Sequence, residues 1–215
     1  MATVKPNPLK PRKWPVQARS EATVAALFEA SIQVLLNLGY RKLTTTRVAE
    51  RAGVSVGTLY QYFPNREALI LCLIERYLDD LVESIERGCK ALNERPLVEL
   101  ASGLVDTFVA AKSTRIRISR AMHEPLADFG DATLVRAAAA RAAAFVGGNL
   151  QSCRDTSFHD ANLLGLLIVM ACSSFLQTAI ADPTRSLDMD ALRIHMRAMV
   201  LGYLREARKL EPCGS

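Results

Sequence analysis

Hydroxyls, amides and cations crowd the stretch TTTRVAERAGVSVGTLYQYF, residues 44–63, and they fall at helical intervals. Such groups donate to phosphate oxygens and base edges, while none of them is spaced for nucleophilic or acid–base catalysis. The apolar residues between them supply the elements. Val48, Ala49 and Ala52 form one stripe, with Arg47, Glu50 and Arg51 on the other side, which predicts a short helix. Gly53 ends it by taking the left-handed backbone of a helix terminus. Ser55 offers a hydroxyl to cap a second helix, 56–62, and Pro64 closes the unit. Val54, Leu59 and Phe63 are expected to face back onto Val48 and Ala52, with Ala49 at the point of closest approach. Two short helices joined by a glycine-containing turn are a helix-turn-helix. Its second helix leaves Val56, Gly57, Tyr60 and Gln61 uncovered, free to enter a major groove.

At these residues the chain resembles the tetracycline-repressor (TetR) family. The resemblance rests on TTRVA (45–49), AGVS (52–55), GTLYQYF (57–63) and NREAL (65–69), and extends in outline from Gln17 to Leu81. It implies a role for each position. Thr46 and Arg47 would open the first helix at the groove edge, and Val56, Gly57 and Gln61 would face bases. Thr45, Thr58, Tyr60, Tyr62 and Arg66 would serve phosphates, and Ser55 and Arg19 would contact DNA as well, Arg19 from the start of the preceding helix. Where Val56 stands the family often carries a more polar side chain, so contact with a thymine methyl is expected there instead.

Charge agrees with this placement. Residues 1–63 carry nine Lys/Arg against three Glu, a net of +6 in a chain of +5 overall, so the remainder is near neutral. A basic head on a neutral body is the electrostatic footprint of a nucleic-acid binder with a second domain. The five cysteines are odd in number and lack a C-x-x-C pair, as suits a reducing cytoplasm. The basic N-terminus has no apolar core of a secretory signal.

The chain divides into a proline-rich basic arm, 1–16, a helix-turn-helix domain, 17–64, and an all-α body, 65–211. In the arm, Arg12 and Lys13 are candidates for DNA phosphates, and Trp14 covers apolar surface. A first helix from Ser20 to Gly39 supports the head from behind, with Tyr40 and Leu43 tucked beneath. Asn65 caps a long helix to about Asn93 that joins head to body and is the natural lever. Pro96 starts the next helix. The charged run Lys112–Arg120 is read as a solvated face. An alanine-rich helix from Ala132 is expected to stop at Gly147-Gly148. The segment Ala161–Ala181 is apolar all round, which fits burial between body and partner subunit better than a membrane span. With the last helix, 189–208, it would make a two-helix dimer face carrying Phe175, Met199 and Tyr203.

No Ser/His/Asp, Cys/His or phosphate-loop pattern appears, and the three histidines are far apart, so no enzyme, cofactor or metal is expected; His195 reads as a core residue. The body is expected to hold a small apolar or amphipathic effector among helices 96–181. Phe108, Met122, His123, Phe145, Asn149, Met170 and Ser174 best combine apolar walls with a few polar groups. Taken together, the reading is a homodimeric, ligand-responsive repressor binding an inverted-repeat DNA operator. Its alternative is a DNA-binding structural or protein-interaction module without a small ligand.

Overall fold

The structure, a computed structural model, describes residues 18–130, 132–181 and 188–209. The basic arm with Arg12, Lys13 and Trp14, and Cys213, lie outside the described residues, as does the side chain of Arg19. All regular structure among the described residues is helical, and it forms two compact units.

The first unit contains α1 (Ala18–Leu38), a 3-10 turn (Tyr40–Lys42), α2 (Thr45–Ala52) and α3 (Val56–Tyr62). It also takes the start of α4 (Arg66–Lys90), up to Tyr77, and the short α7 (His123–Phe129). Leu27 of α1, Val48 and Ala49 of α2, Leu59 of α3, and Leu69 and Ile70 of α4 are fully buried here. Phe28 and Phe63 meet edge to face with centroids 5.7 Å apart, and the Arg76 guanidinium lies 5.1 Å over the Phe28 ring. Ser31, polar on an apolar face, is satisfied by donating to the Leu27 carbonyl at 2.7 Å. Because α4 supplies this much core, the unit reaches well beyond the boundary at residue 64 expected from the motif. Segment 120–130, expected in the body, also belongs to it.

The second unit comprises the rest of α4, α5 (Leu97–Ser113), α8 (Ala132–Gln151), α9 (Ala161–Ala181) and α10 (Met189–Ala207). The short α6 (Ile116–Ala121) starts in this unit and ends in the first. Leu100, Leu104, Val105 and Phe108 of α5 form the centre of its core, with Val146 and Leu150 of α8, Ile168, Cys172 and Leu176 of α9, and Val200 and Leu204 of α10. Two aspartates finish helix ends. Asp155 accepts from the Leu97 N–H at 2.8 Å, a bond that holds its carboxyl below the usual range, while Asp188 accepts from the N–H groups of Asp190 and Ala191. Arg197 donates to both oxygens of Asp106, at 2.6 and 2.7 Å, tying α10 to α5.

Several expectations for this unit change. Gly147-Gly148 does not stop α8, which continues to Gln151. Gly147 serves close approach instead: a Cβ there would stand 3.0 Å from Asn162 Oδ1 and 3.2 Å from the Ala161 carbonyl. Opposite it, a Cβ on Gly165 would lie 2.7 Å from the Ala143 carbonyl and 2.9 Å from the Gly147 nitrogen. Glycines let α8 and α9 touch backbone to backbone. Lys112 is buried rather than solvated, its Nζ 3.2 Å from Gln177 Oε1. Conversely, His195 is exposed, not a core residue.

The stretches Ser20–Leu38 and Ala161–Ile180 are long and apolar enough to cross a membrane by length and composition. Each nevertheless buries one side in its own unit, through Leu27, Phe28 and Leu35 in one and Ile168, Cys172 and Leu176 in the other. Burial pushes the Cys72, Cys89 and Cys172 thiols up to about 12, so they stay protonated and behave as small apolar side chains.

Candidate nucleic-acid interface

The helix-turn-helix is fixed by caps at each turn. Thr44 accepts from the Arg47 N–H at 3.4 Å, starting α2. Gly53 ends it at φ +69°, its N–H directed to the carbonyls of Ala49 and Glu50. Two residues later Ser55 accepts from the Thr58 N–H at 3.0 Å and starts α3; its hydroxyl also lies 2.9 Å from that of Thr58. Each such cap is worth about 1 kcal/mol, and together they set the angle at which α3 is presented.

Leu59 is fully buried, so α3 turns its other side outward. Gly57 and Gln61 are exposed, Val56, Thr58 and Tyr62 half-buried, and Tyr60 is 41% exposed, one of the few large apolar rings left in solvent. Gly57 is informative. Its backbone is helical, and an added Cβ would meet only the Ser55 hydroxyl at 3.6 Å, an ordinary contact. Nothing inside the protein therefore requires glycine, although glycine costs a helix about 1 kcal/mol relative to alanine. The bare position leaves the α3 backbone open to close approach from outside.

The Thr45 hydroxyl at the start of α2 stands 3.2 Å from the Tyr60 hydroxyl on α3. The two hydroxyls share a hydrogen bond, which leaves one of their protons free to donate to an outside acceptor such as a phosphate oxygen. Thr46 and Arg47 are exposed beside them, and Arg47 Nη1 donates to the Lys42 carbonyl at 3.0 Å, leaving its other donors outward. Arg51 faces elsewhere, bound to Gln33 of α1.

Arg66 is placed differently from the expectation of a phosphate contact. It is half-buried; Nε donates to the Leu43 carbonyl at 2.6 Å and Nη2 to the Tyr40 carbonyl at 3.1 Å, with the guanidinium 4.9 Å over the Tyr40 ring. A fork engaged on two carbonyls braces the 3-10 turn. Sequence reading missed this because the bracing acceptors are backbone groups that carry no sequence signature.

The residues expected to line one effector pocket are dispersed. Phe108 is buried in the core of the second unit, Phe145 is packed against it, and Asn149 is buried. Asn149 Nδ2 donates to the Cys89 carbonyl at 3.0 Å, and its Oδ1 is buried without a partner. That carbonyl fixes the amide orientation, since only the nitrogen can donate to it. Met170 and Ser174, expected in the interior, are exposed on the outward side of α9, opposite Cys172 and Leu176. A helix apolar all round does not reveal which side faces in. Met122, buried, and His123, exposed, belong to the first unit. Of the residues expected at a dimer face, Phe175 is 50% exposed, whereas Met199 and Tyr203 are half-buried against the core. Ile194, not anticipated, is the most exposed large apolar side chain among the described residues, at 63%.

Two profiles of known protein families match. One, for bacterial regulatory proteins of the tetR family, covers residues 27–73; the other, for a tetracyclin repressor-like C-terminal domain, covers residues 96–204. A fatty acid metabolism regulator protein from Bacillus subtilis is 30% identical over 64 residues, 30% of this chain and 33% of that protein. The transcriptional activator FasR from Mycolicibacterium smegmatis is 31% identical over 68 residues, 32% of this chain and 31% of that protein. The match thus spans about a third of the length of these curated relatives. In fold, the chain is similar to the crystal structure of the transcriptional regulator FadR from Bacillus subtilis in complex with stearoyl-CoA. The TM-score is 0.63 at 18% identity, covering 83% of this chain and 97% of that one.

Proposed function

The chain belongs to the TetR family of bacterial regulatory proteins, regulators rather than enzymes, and from that premise we propose that it is a homodimeric, ligand-responsive transcriptional repressor acting on DNA in the cytoplasm. The observation that carries the reading is the uncovered side of α3, where Gly57 is bare for no internal reason next to Tyr60 and Gln61. In this reading Val56, Gly57 and Gln61 meet base edges. Thr45, Thr58, Tyr60 and Tyr62 hold phosphates, Thr46 and Arg47 sit at the groove edge, and Arg19 adds a further cation.

Dimerisation is supported by the body's surface. Among the described residues, four of the nine large apolar side chains left exposed, Leu163, Leu167, Met170 and Phe175, lie on α9, and Ile194 lies on α10. A concentration of apolar surface on one helix calls for a partner, and a second copy places two recognition helices on an inverted repeat. The effector is apolar or amphipathic. Phe108, Phe145 and Asn149 are the residues favoured for it, Asn149 because its lone buried oxygen can accept from a polar group on the guest. The FadR neighbour's stearoyl-CoA makes a long acyl chain the first probe. Effector and operator weaken each other's binding by one shared factor, of about 5–150-fold for a coupling of about 1–3 kcal/mol.

The test begins with selection of DNA from a random pool by the full-length protein. An inverted repeat is expected, its half-sites about one helical turn or a multiple apart. Stearoyl-CoA, stearate and a panel of apolar compounds are then titrated against the complex. Release by one of them supports the reading. A selected site without two-fold symmetry defeats the dimer, and a complex that no amphipathic compound releases returns the ligand-free module.

A further inference from the structure

Asn149 is a polar side chain set among apolar ones, 6% exposed in the second unit. One end of its amide is committed. Nδ2 donates at 3.0 Å to the carbonyl of Cys89, in the last turn of α4, where helix carbonyls lack a partner within the helix. The Leu92 N–H already donates to that carbonyl at 2.9 Å, so the oxygen does not depend on the amide. The other end is open. Oδ1 is buried and accepts from nothing among the described residues. A buried acceptor left open costs about as much as a lost hydrogen bond, and a leucine of similar volume would escape that cost. Packing alone therefore does not call for asparagine here.

Its surroundings join apolar surface to the far end of α4. Phe145 stands four residues earlier on α8, and side chains four apart share a helix face. Phe145 is half-buried against the core, as are Leu92 and Cys153, so the core does not fully cover this side. The segment that follows Asn149 holds the turn from α4 to α5. The Ser152 hydroxyl donates to the Asn149 carbonyl at 3.2 Å and accepts from the Glu94 N–H at 3.4 Å. The Arg154 N–H donates to the Arg95 carbonyl at 3.2 Å, and Asp155 accepts from the Leu97 N–H. Because α4 begins in the first unit and ends here, a guest on Asn149 stands one hydrogen bond from the backbone of a helix that starts in the head.

We propose that Asn149 selects a neutral amphiphile carrying a hydroxyl or amide N–H over one with an anionic head, and that its amide passes the presence of that guest to α4. The inference rests on the ligand-responsive reading above. Its chemistry follows from which end of the amide is open. The nitrogen is held on the Cys89 carbonyl, so the guest meets an oxygen, which only accepts. A hydroxyl or N–H satisfies it. A carboxylate would set its charge against a buried lone pair, and an ether oxygen offers no proton. Hydrogen bonds in a chain polarise one another, so a proton given to Oδ1 strengthens the bond from Nδ2 to Cys89 and tightens the hold on the end of α4.

A matched ten-carbon set tests this on the full-length protein: 1-decanol, decanamide, decyl methyl ether and decanoate. Binding is read by calorimetry, and release as the ratio of operator affinities without and with each compound. Decanol and decanamide should bind about tenfold more tightly than the ether, the upper scale of one net hydrogen bond, and decanoate no better than the ether. Asn149→Leu keeps the volume and removes both ends of the amide. It should bind decanol and the ether alike, and its operator ratio with saturating decanol should fall toward one. Asn149→Ala serves if the leucine variant does not fold, and the order of the four compounds on the wild type decides without any variant. The ether or decanoate binding as tightly as decanol, none of the four binding, or a preference for decanol that survives the substitution would overturn the proposal. Full operator release by decanol from Asn149→Leu would overturn the link to α4. A wider panel in which no compound releases the operator overturns the ligand-responsive reading itself. A compound that releases it regardless of Asn149 leaves that reading standing and removes this one.

Discussion

The uncovered sides of α3 and α9 differ in kind. On α3, seven residues long, the open side offers a bare glycine, a tyrosine hydroxyl and an amide. On α9, three times as long, it offers Leu163, Leu167, Met170 and Phe175. The first has the chemistry of phosphates and base edges; the second has that of another apolar surface. Their fixing differs too. The short helix is held by Ser55 and by Leu59 in the core, so its direction is set locally, whereas α9 is held along its length by α8 and α5. Local fixation aims a few atoms, and extended packing presents an area.

This contrast breaks first at the area. Phe175→Asp puts a charge into the proposed contact between copies and should give monomer or aggregate by sedimentation. Because two heads on one dimer engage as one, operator affinity should then fall by about a hundredfold or more. A dimeric variant with wild-type affinity would place the interface elsewhere. Gly57→Ala tests the aimed atoms, with opposite signs for two measurements. It should raise stability by about 1 kcal/mol in chemical denaturation, as helix propensity dictates. It should also weaken operator binding about tenfold, the scale of one spoiled base contact. Tyr60→Phe removes one hydroxyl and should weaken binding about threefold, equally on operator and scrambled DNA, as a phosphate contact does. An effect confined to the operator would assign Tyr60 to base reading. Ser55→Ala should cost about 1 kcal/mol of stability, read as an earlier denaturation midpoint.

The head was legible because its signals are local. Gly53, Ser55 and Asn65 each act within four residues of themselves, and all three act as their types predict; Asn65 Oδ1 accepts from the Ala68 N–H at 2.7 Å. What escaped depends on partners distant in sequence. Arg66 bonds to carbonyls that no residue type announces, 23 and 26 positions earlier in the chain. In the body, the outward side of α9 could not be told from the inward one, so Met170 and Ser174 were assigned to the interior. Gly147 was read by its usual role as a helix stop, when its neighbour across the crossing decides its use.

That crossing also predicts how the sequence can drift. In a library of variants kept only if they fold and function, position 165 should admit almost nothing but glycine, because a Cβ there would stand 2.7 and 2.9 Å from the opposing backbone, and position 147 should be the next most restricted, its Cβ 3.2 Å from the Ala161 carbonyl. Gly148, one residue along, and Gly202 on α10 have open space where a Cβ would go and should fill with alanine and polar residues. Two glycines that read alike in the sequence would thus diverge sharply in what replaces them, and the pattern of replacement alone would map where α8 lies against α9.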